Sequence, residues 1–136
     1  MSVNAAQQYH TNQVHFLRVN FTFANEDETI SLGWVPAGAS VIGGGVVVAT
    51  AFNSGTSDTM DLGFRNAGDG TTADPNEYAT LLDITTAGVI VADELATAGD
   101  AYLPEGAEIT LTYNSTGTAP TAGSGYAYLT YLVDNS

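Results

Sequence analysis

Apolar and polar residues alternate with a period of two along much of the chain. Leu17, Val19, Phe21 and Phe23 are separated by Arg18, Asn20 and Thr22, the pattern of a half-buried strand. Ile30, Leu32 and Trp34 alternate with Ser31 and Gly33, and Met60, Leu62 and Phe64 with Asp61 and Gly63. Ala107, Ile109, Leu111 and Tyr113 alternate again, Gly88 to Val91 reads as a short strand, and Tyr126 to Val133 makes the last one. The acidic turn Asn25-Glu26-Asp27-Glu28 separates the first two strands. The pattern predicts that they form a hairpin and that Trp34 faces the core.

The densest apolar run, Val46-Val47-Val48-Ala49 through Phe52, belongs to a stretch from Gly33 to Asn53 around which the chain is organised. Its β-branched residues, bounded by Pro and Gly, predict a long strand, and the triplet Gly43-Gly44-Gly45 predicts a bulge or bend within it. The device recurs. Val35-Pro36-Ala37-Gly38-Ala39-Ser40-Val41 and Leu103-Pro104-Glu105-Gly106-Ala107-Glu108-Ile109 share the pattern apolar-Pro-x-Gly-Ala-x-apolar. Each copy runs on to an aromatic-Asn-Ser turn, Phe52-Asn53-Ser54 and Tyr113-Asn114-Ser115. Two similar strand units far apart in sequence suggest two facing sheets.

The longest loop runs from Arg65 to Asn76, and its exit, Asp74-Pro75-Asn76-Glu77, carries a cap residue, a proline and a glutamate in helix-start order. It predicts one short helix with Tyr78, Leu81 and Leu82 on one face. The remainder gives about eight strands separated by Gly, Asn, Asp and Ser turns. The expected fold is therefore all-β, a jelly-roll-like antiparallel β-sandwich with at most one short helix. The polar, unpatterned residues 1–13 read as a flexible N-terminal arm, either frayed or ordered against a partner. Residues 14–136 read as a single sandwich domain.

Charge narrows the function. Fifteen acidic residues face two basic ones, Arg18 and Arg65, for a formal net charge of −13. Nucleic acid is a poor partner, because neutralising phosphates needs clustered Lys and Arg. Anionic membrane surfaces are disfavoured for the same reason, and no apolar run approaches a bilayer span. There is no cysteine, hence no disulfide, zinc–thiolate cluster or thiol nucleophile. Met1 leads into a polar segment without the marks of a signal peptide, so a cytoplasmic origin is expected.

Little points to catalysis. The only histidines, His10 and His15, are poorly spaced for a shared metal, and no Gly-x-Ser-x-Gly elbow is present. The acids fall mostly at turns, where solvated loop charges explain them better than a glycosidase pair does. The loop Asn66 to Asp74 offers oxygen ligands to calcium but lacks the spacing of an EF-hand, and an ordinary capped loop is the simpler reading. No cofactor is called for. Tyrosines concentrate late in the chain. Tyr126 and Tyr128 share one face of the last strand and Tyr131 takes the other. A second aromatic face suits a protein interface, or a sugar platform, and the interface reading is preferred. Tyr9 and His10, the bulkiest groups of the arm, join Tyr126 and Tyr128 as candidate partner-contact residues.

The run VPAGASVIGGGVVVATAFNSGTSDTMDLGF, followed later by TAGDAYLPEGAEITLTYN, resembles small structural proteins of tailed bacteriophages. It is most similar to capsid cement, or decoration, proteins of the jelly-roll type, podophage ones among them. The likeness is one of turn pattern and covers roughly residues 30 to 133. It implies a non-enzymatic virion protein on the outside of the capsid shell, assembled in the host cytoplasm and clamping neighbouring subunits of the major capsid protein. It also implies a homo-oligomer, a dimer before a trimer. The family supplies no catalytic residues. The competing reading is a binding module, either a phage head or tail fibre domain or a carbohydrate-binding sandwich.

Overall fold

The computed structural model of the chain describes residues 13–133. Nine strands run through them: β1 (His15–Thr22), β2 (Thr29–Val35), β3 (Ala39–Thr50), β4 (Ser57–Arg65), β5 (Asp74–Asp83), β6 (Gly88–Val91), β7 (Tyr102–Leu103), β8 (Ala107–Thr116) and β9 (Ser124–Val133). Two single 3-10 turns, Phe23–Asn25 and Leu95–Thr97, are the helical elements among the described residues.

The strands form two antiparallel sheets, one in the order β1-β9-β3-β6 with β7 also beside β3, the other in the order β2-β8-β4-β5. Within these sheets β1 pairs with β9, β2 with β8, β3 with β6 and β4 with β5. Such nested pairs describe one long hairpin with its tip between β4 and β5, rolled up until β9 meets β3 and β8 meets β4. This is a jelly roll. The two repeated units fall in different sheets, β3 in one and β8 in the other, as the sequence suggests.

The core lies between the sheets. Phe21, Val46, Val48, Ala127 and Leu129 enter from the first sheet, and Met60, Leu62, Phe64, Ile109, Leu111 and Tyr113 from the second, all nearly free of solvent. The glycine triplet does mark a bulge, for the β3–β9 register shifts between Val41 and Gly43.

Three expectations need correction. The first two strands are not a hairpin. The Thr22 hydroxyl accepts from Ala24 N, and the Asn25 side chain accepts from Thr22 N, which caps a turn that carries the chain across the sandwich. The turn is then tied to the opposite sheet, where Tyr113 N donates to Glu28 O and Ser115 N to Asp27 Oδ1.

The segment from Asp74 is strand β5, not a helix. Its Asp74 carboxylate accepts from Asn76 N, so the cap residue closes a local turn instead of starting a helix. A Cβ on Gly63 would collide with the backbone of Asp74 and Pro75, and its lack lets this segment lie directly on β4. Ladder pairing and the burial of Tyr78, Ala79 and Leu82 then outweigh the capping signal.

Trp34 does not enter the core; it stands 59% exposed. The β2–β8 register shifts between Ser31 and Gly33. That irregularity inverts the alternation, so Val35 is buried and Trp34 turns outward beside Glu108.

Candidate interaction surface

The two outer faces of the sandwich differ sharply in chemistry. On β8 the outward positions are Glu108, Thr110, Thr112 and Asn114; on β4 they are Ser57, Thr59, Asp61 and Arg65, since their neighbours fill the core. These groups bond to one another. Arg65 Nε donates to Glu108 Oε1 at 2.8 Å, Asn66 Nδ2 donates to the same oxygen at 3.0 Å, and the Thr29 and Thr112 hydroxyls meet at 3.1 Å. Arg65 above all, then Ser31 and Asn66, hold the Glu108 carboxyl at about 2, well below its ordinary value, against the opposing effect of burial. Apart from the exposed Trp34 and Leu81 this face is polar, and its Arg65, Asn66, Thr29 and Thr112 groups bond within it.

The face of the other sheet is the reverse. None of the fifteen acidic residues lies in β1, β3, β6, β7 or β9, whereas Asp58, Asp61, Asp74, Glu77, Asp83 and Glu108 lie in the strands of the second sheet. Of the ten large apolar side chains exposed among the described residues, seven project from this one side: Val14, Phe16, Ile42, Val89, Val91, Tyr102 and Leu132. Phe16 is 68% exposed, far from what burial in a core requires. So many exposed apolar groups on one side are unusual on a solvated surface, which makes this face the candidate for an interaction.

Tyr126 and Tyr128 stand on this face, and Tyr131 turns inward to stack on His15 at 5.4 Å, as their spacing on β9 predicts. The register sets Tyr128 opposite Arg18 on β1 and Tyr126 opposite Val47 on β3. With Val14, Phe16 and Thr130 they line an open groove of about 460 Å³. The Arg18 guanidinium carbon lies 3.7 Å from the centre of the Tyr126 ring, and Arg18 Nη2 donates to Asn20 Oδ1 at 3.2 Å. A cation at that distance is attracted by the ring's electron-rich face. Tyr9 and His10 lie outside the described residues.

Sequence reasoning singled out the two tyrosines on this face but not the neighbouring Phe16 and Arg18 or the exposed valines of β6. Phe16 and Arg18 are a phase apart from the core positions of β1, and read singly each looks like ordinary surface. The available signal was the distribution of acids, which becomes visible once strands are sorted into sheets.

The loop from Asn66 to Asp74 is held by bonds within itself and to the segment around Gly106. Thr71 N and Oγ1 both donate to Asp69 Oδ1, and Gly68 N donates to Gly106 O. Among the described residues no three His, Asp or Glu side chains come together as a metal-binding set.

The jelly roll is shared with chains of two solved phage capsids. A chain of the acidic stable capsid structure of Helicobacter pylori bacteriophage KHP30 matches with a TM-score of 0.62 and 14% identity, over 88% of this chain and 87% of that one. A chain of the cyanophage Pam1 capsid asymmetric unit matches with a TM-score of 0.55 and 18% identity, over 90% and 84%. At such identities the likeness is one of fold. No family model matches the chain, and no curated protein matches it.

Proposed function

We propose that this chain is a structural virion protein that binds the outside of a phage capsid shell and clamps neighbouring major capsid protein subunits. The observation that carries the reading is the fold shared with chains of two phage capsids over nearly nine-tenths of this one. The surface supports it: a clamp works by area buried across seams, and the chain offers a broad apolar face rather than a cleft with chemistry in it. The work is non-enzymatic and done in many copies, as a homo-oligomer and first of all as a dimer, with residues 1–13 as an arm toward neighbouring subunits.

Quantitative mass spectrometry on purified phage particles from the source culture tests this. Copy numbers near parity with the major shell protein are expected. A handful of copies would make the chain a fibre or tail part, and none would remove it from the virion.

The groove beside Tyr126 and Tyr128 favours a second reading, a carbohydrate-binding sandwich with these rings as its platform. Glycan-array binding lost in Tyr126→Ala and Tyr128→Ala would establish that reading in place of the first.

A further inference from the structure

We propose that the outer face of the β1-β9-β3-β6 sheet is the side that lies on the capsid shell, and that it takes an apolar protein surface bearing a carboxylate, which Arg18 receives. The inference rests on the virion reading above and adds to it the face and the chemistry of the partner.

Charge carries the argument. Of the two cations of the chain, Arg65 is bonded to Glu108 through two nitrogens. Arg18 has no carboxylate partner among the described residues; its bonding partner is the Asn20 amide and its support the Tyr126 ring. In a chain with fifteen acids, an exposed arginine on the edge strand of an apolar face, beside Phe16, Tyr126 and Tyr128 and with no acid on its own sheet, is where a partner can supply the counter-charge. A guanidinium has five N–H donors in a planar fork. Held over the ring on one side, it keeps its in-plane edge for a carboxylate, which pairs with such a fork edge-on.

The same facts argue against a second copy as the occupant. The five strands of this sheet carry no acid, so a copy placed face to face would bury Arg18 with no counter-charge opposite it. Strand spacing gives the face an extent of about 20 by 30 Å, roughly 600 Å². That is the low end of what each partner buries in a stable pair in solution, roughly 600–1,000 Å². A shell suits such a face better, because many modest contacts are then held at once on a fixed lattice. The opposite face, with its Thr, Asn and Arg65–Glu108 bonds closed on themselves, is left toward solvent.

The test uses full-length protein added to heads from the source culture that have been stripped of it. Phe16→Asp and Arg18→Gln change exposed side chains, so thermal unfolding of the free protein should stay at the wild-type value. Each should weaken binding to heads by about tenfold or more. Trp34→Gln, on the opposite sheet, should bind as wild type does. Wild-type binding should also weaken as salt rises, and that dependence should be smaller in Arg18→Gln.

Wild-type protein that neither occurs on particles nor binds stripped heads overturns the virion reading and the occupant with it. Wild type that binds, with Phe16→Asp and Arg18→Gln binding equally well, overturns the face alone. A solution dimer that Phe16→Asp dissolves makes the occupant a second copy and overturns it too.

Discussion

Phe52 and Tyr113 meet edge to face in the core, with ring centroids 5.1 Å apart and planes at 72°. They are the aromatic residues that close the two repeated units of the sequence, and Phe21 stacks on Phe52 at 5.2 Å to complete the cluster. The Tyr113 hydroxyl donates to Asp58 Oδ1 at 2.6 Å, and the same carboxylate accepts from Ser54 N at 2.7 Å. One residue thus joins the apolar core to a buried acid. Phe52→Ala is expected to cost about 3–5 kcal/mol through lost burial and the cavity left behind. Tyr113→Phe keeps the ring but removes a donor from a buried carboxylate, for about 1–3 kcal/mol. Urea unfolding midpoints measure both. A Tyr113→Phe protein as stable as wild type would mean that Asp58 is satisfied without the tyrosine.

How much of this could be read beforehand divides along physical lines. Alternation located β1, β4, β8 and β9, because a strand with one buried face must repeat every two residues. The repeat assigned β3 and β8 to different sheets. The crossing from β1 to β2 escaped notice because a short polar turn reads alike whether it folds the chain back or carries it over the core; the bonds from Tyr113 and Ser115 that decide it come from residues some 85 positions away. Trp34 was misplaced by a single register shift, hinted at only by Gly33 inside a strand. The docking face was illegible in part because exposed Phe16 and Arg18 carry meaning only together with Tyr126 of a distant strand.

Two glycines with nearly the same backbone separate conformation from crowding. Gly106 has φ +78° and Gly70 has φ +82°, so alanine is strained at either position. A Cβ at Gly106 would also sit 2.5 Å from Val35 O, where the two Pro-x-Gly turns interlock and Gly38 N donates to Leu103 O at 3.0 Å. At Gly70 nothing lies within 4 Å. Gly70→Ala is therefore expected to cost roughly 1 kcal/mol, and Gly106→Ala clearly more, because β2 and β8 must separate. Thermal unfolding of the pair checks this. Equal losses would show that the turns are not in close contact in solution.

Acid should act on two glutamates in opposite senses. Glu108 has its carboxyl held at about 2 by Arg65, Ser31 and Asn66, below the value near 4.5 of an unperturbed glutamate. Across that interval the unfolded chain binds the proton and the folded one does not. The contribution of Glu108 is thus complete above about pH 4.5 and is lost as pH falls toward about 2. Glu77 is raised instead, first by burial and then by the neighbouring Asp74, so its charged form weakens the fold above the raised value. Glu77→Gln should stabilise the protein at pH 7, since Gln can still accept from Asp100 N, and the gain should vanish below the usual carboxylate range. Glu108→Gln should destabilise it at pH 7 and converge on wild type as the pH approaches 2. Denaturant unfolding between pH 7 and 2.5 distinguishes the two slopes. A Glu108→Gln curve that runs parallel to wild type throughout would show that the Arg65 pair, for all its geometry, contributes no pH-dependent stability.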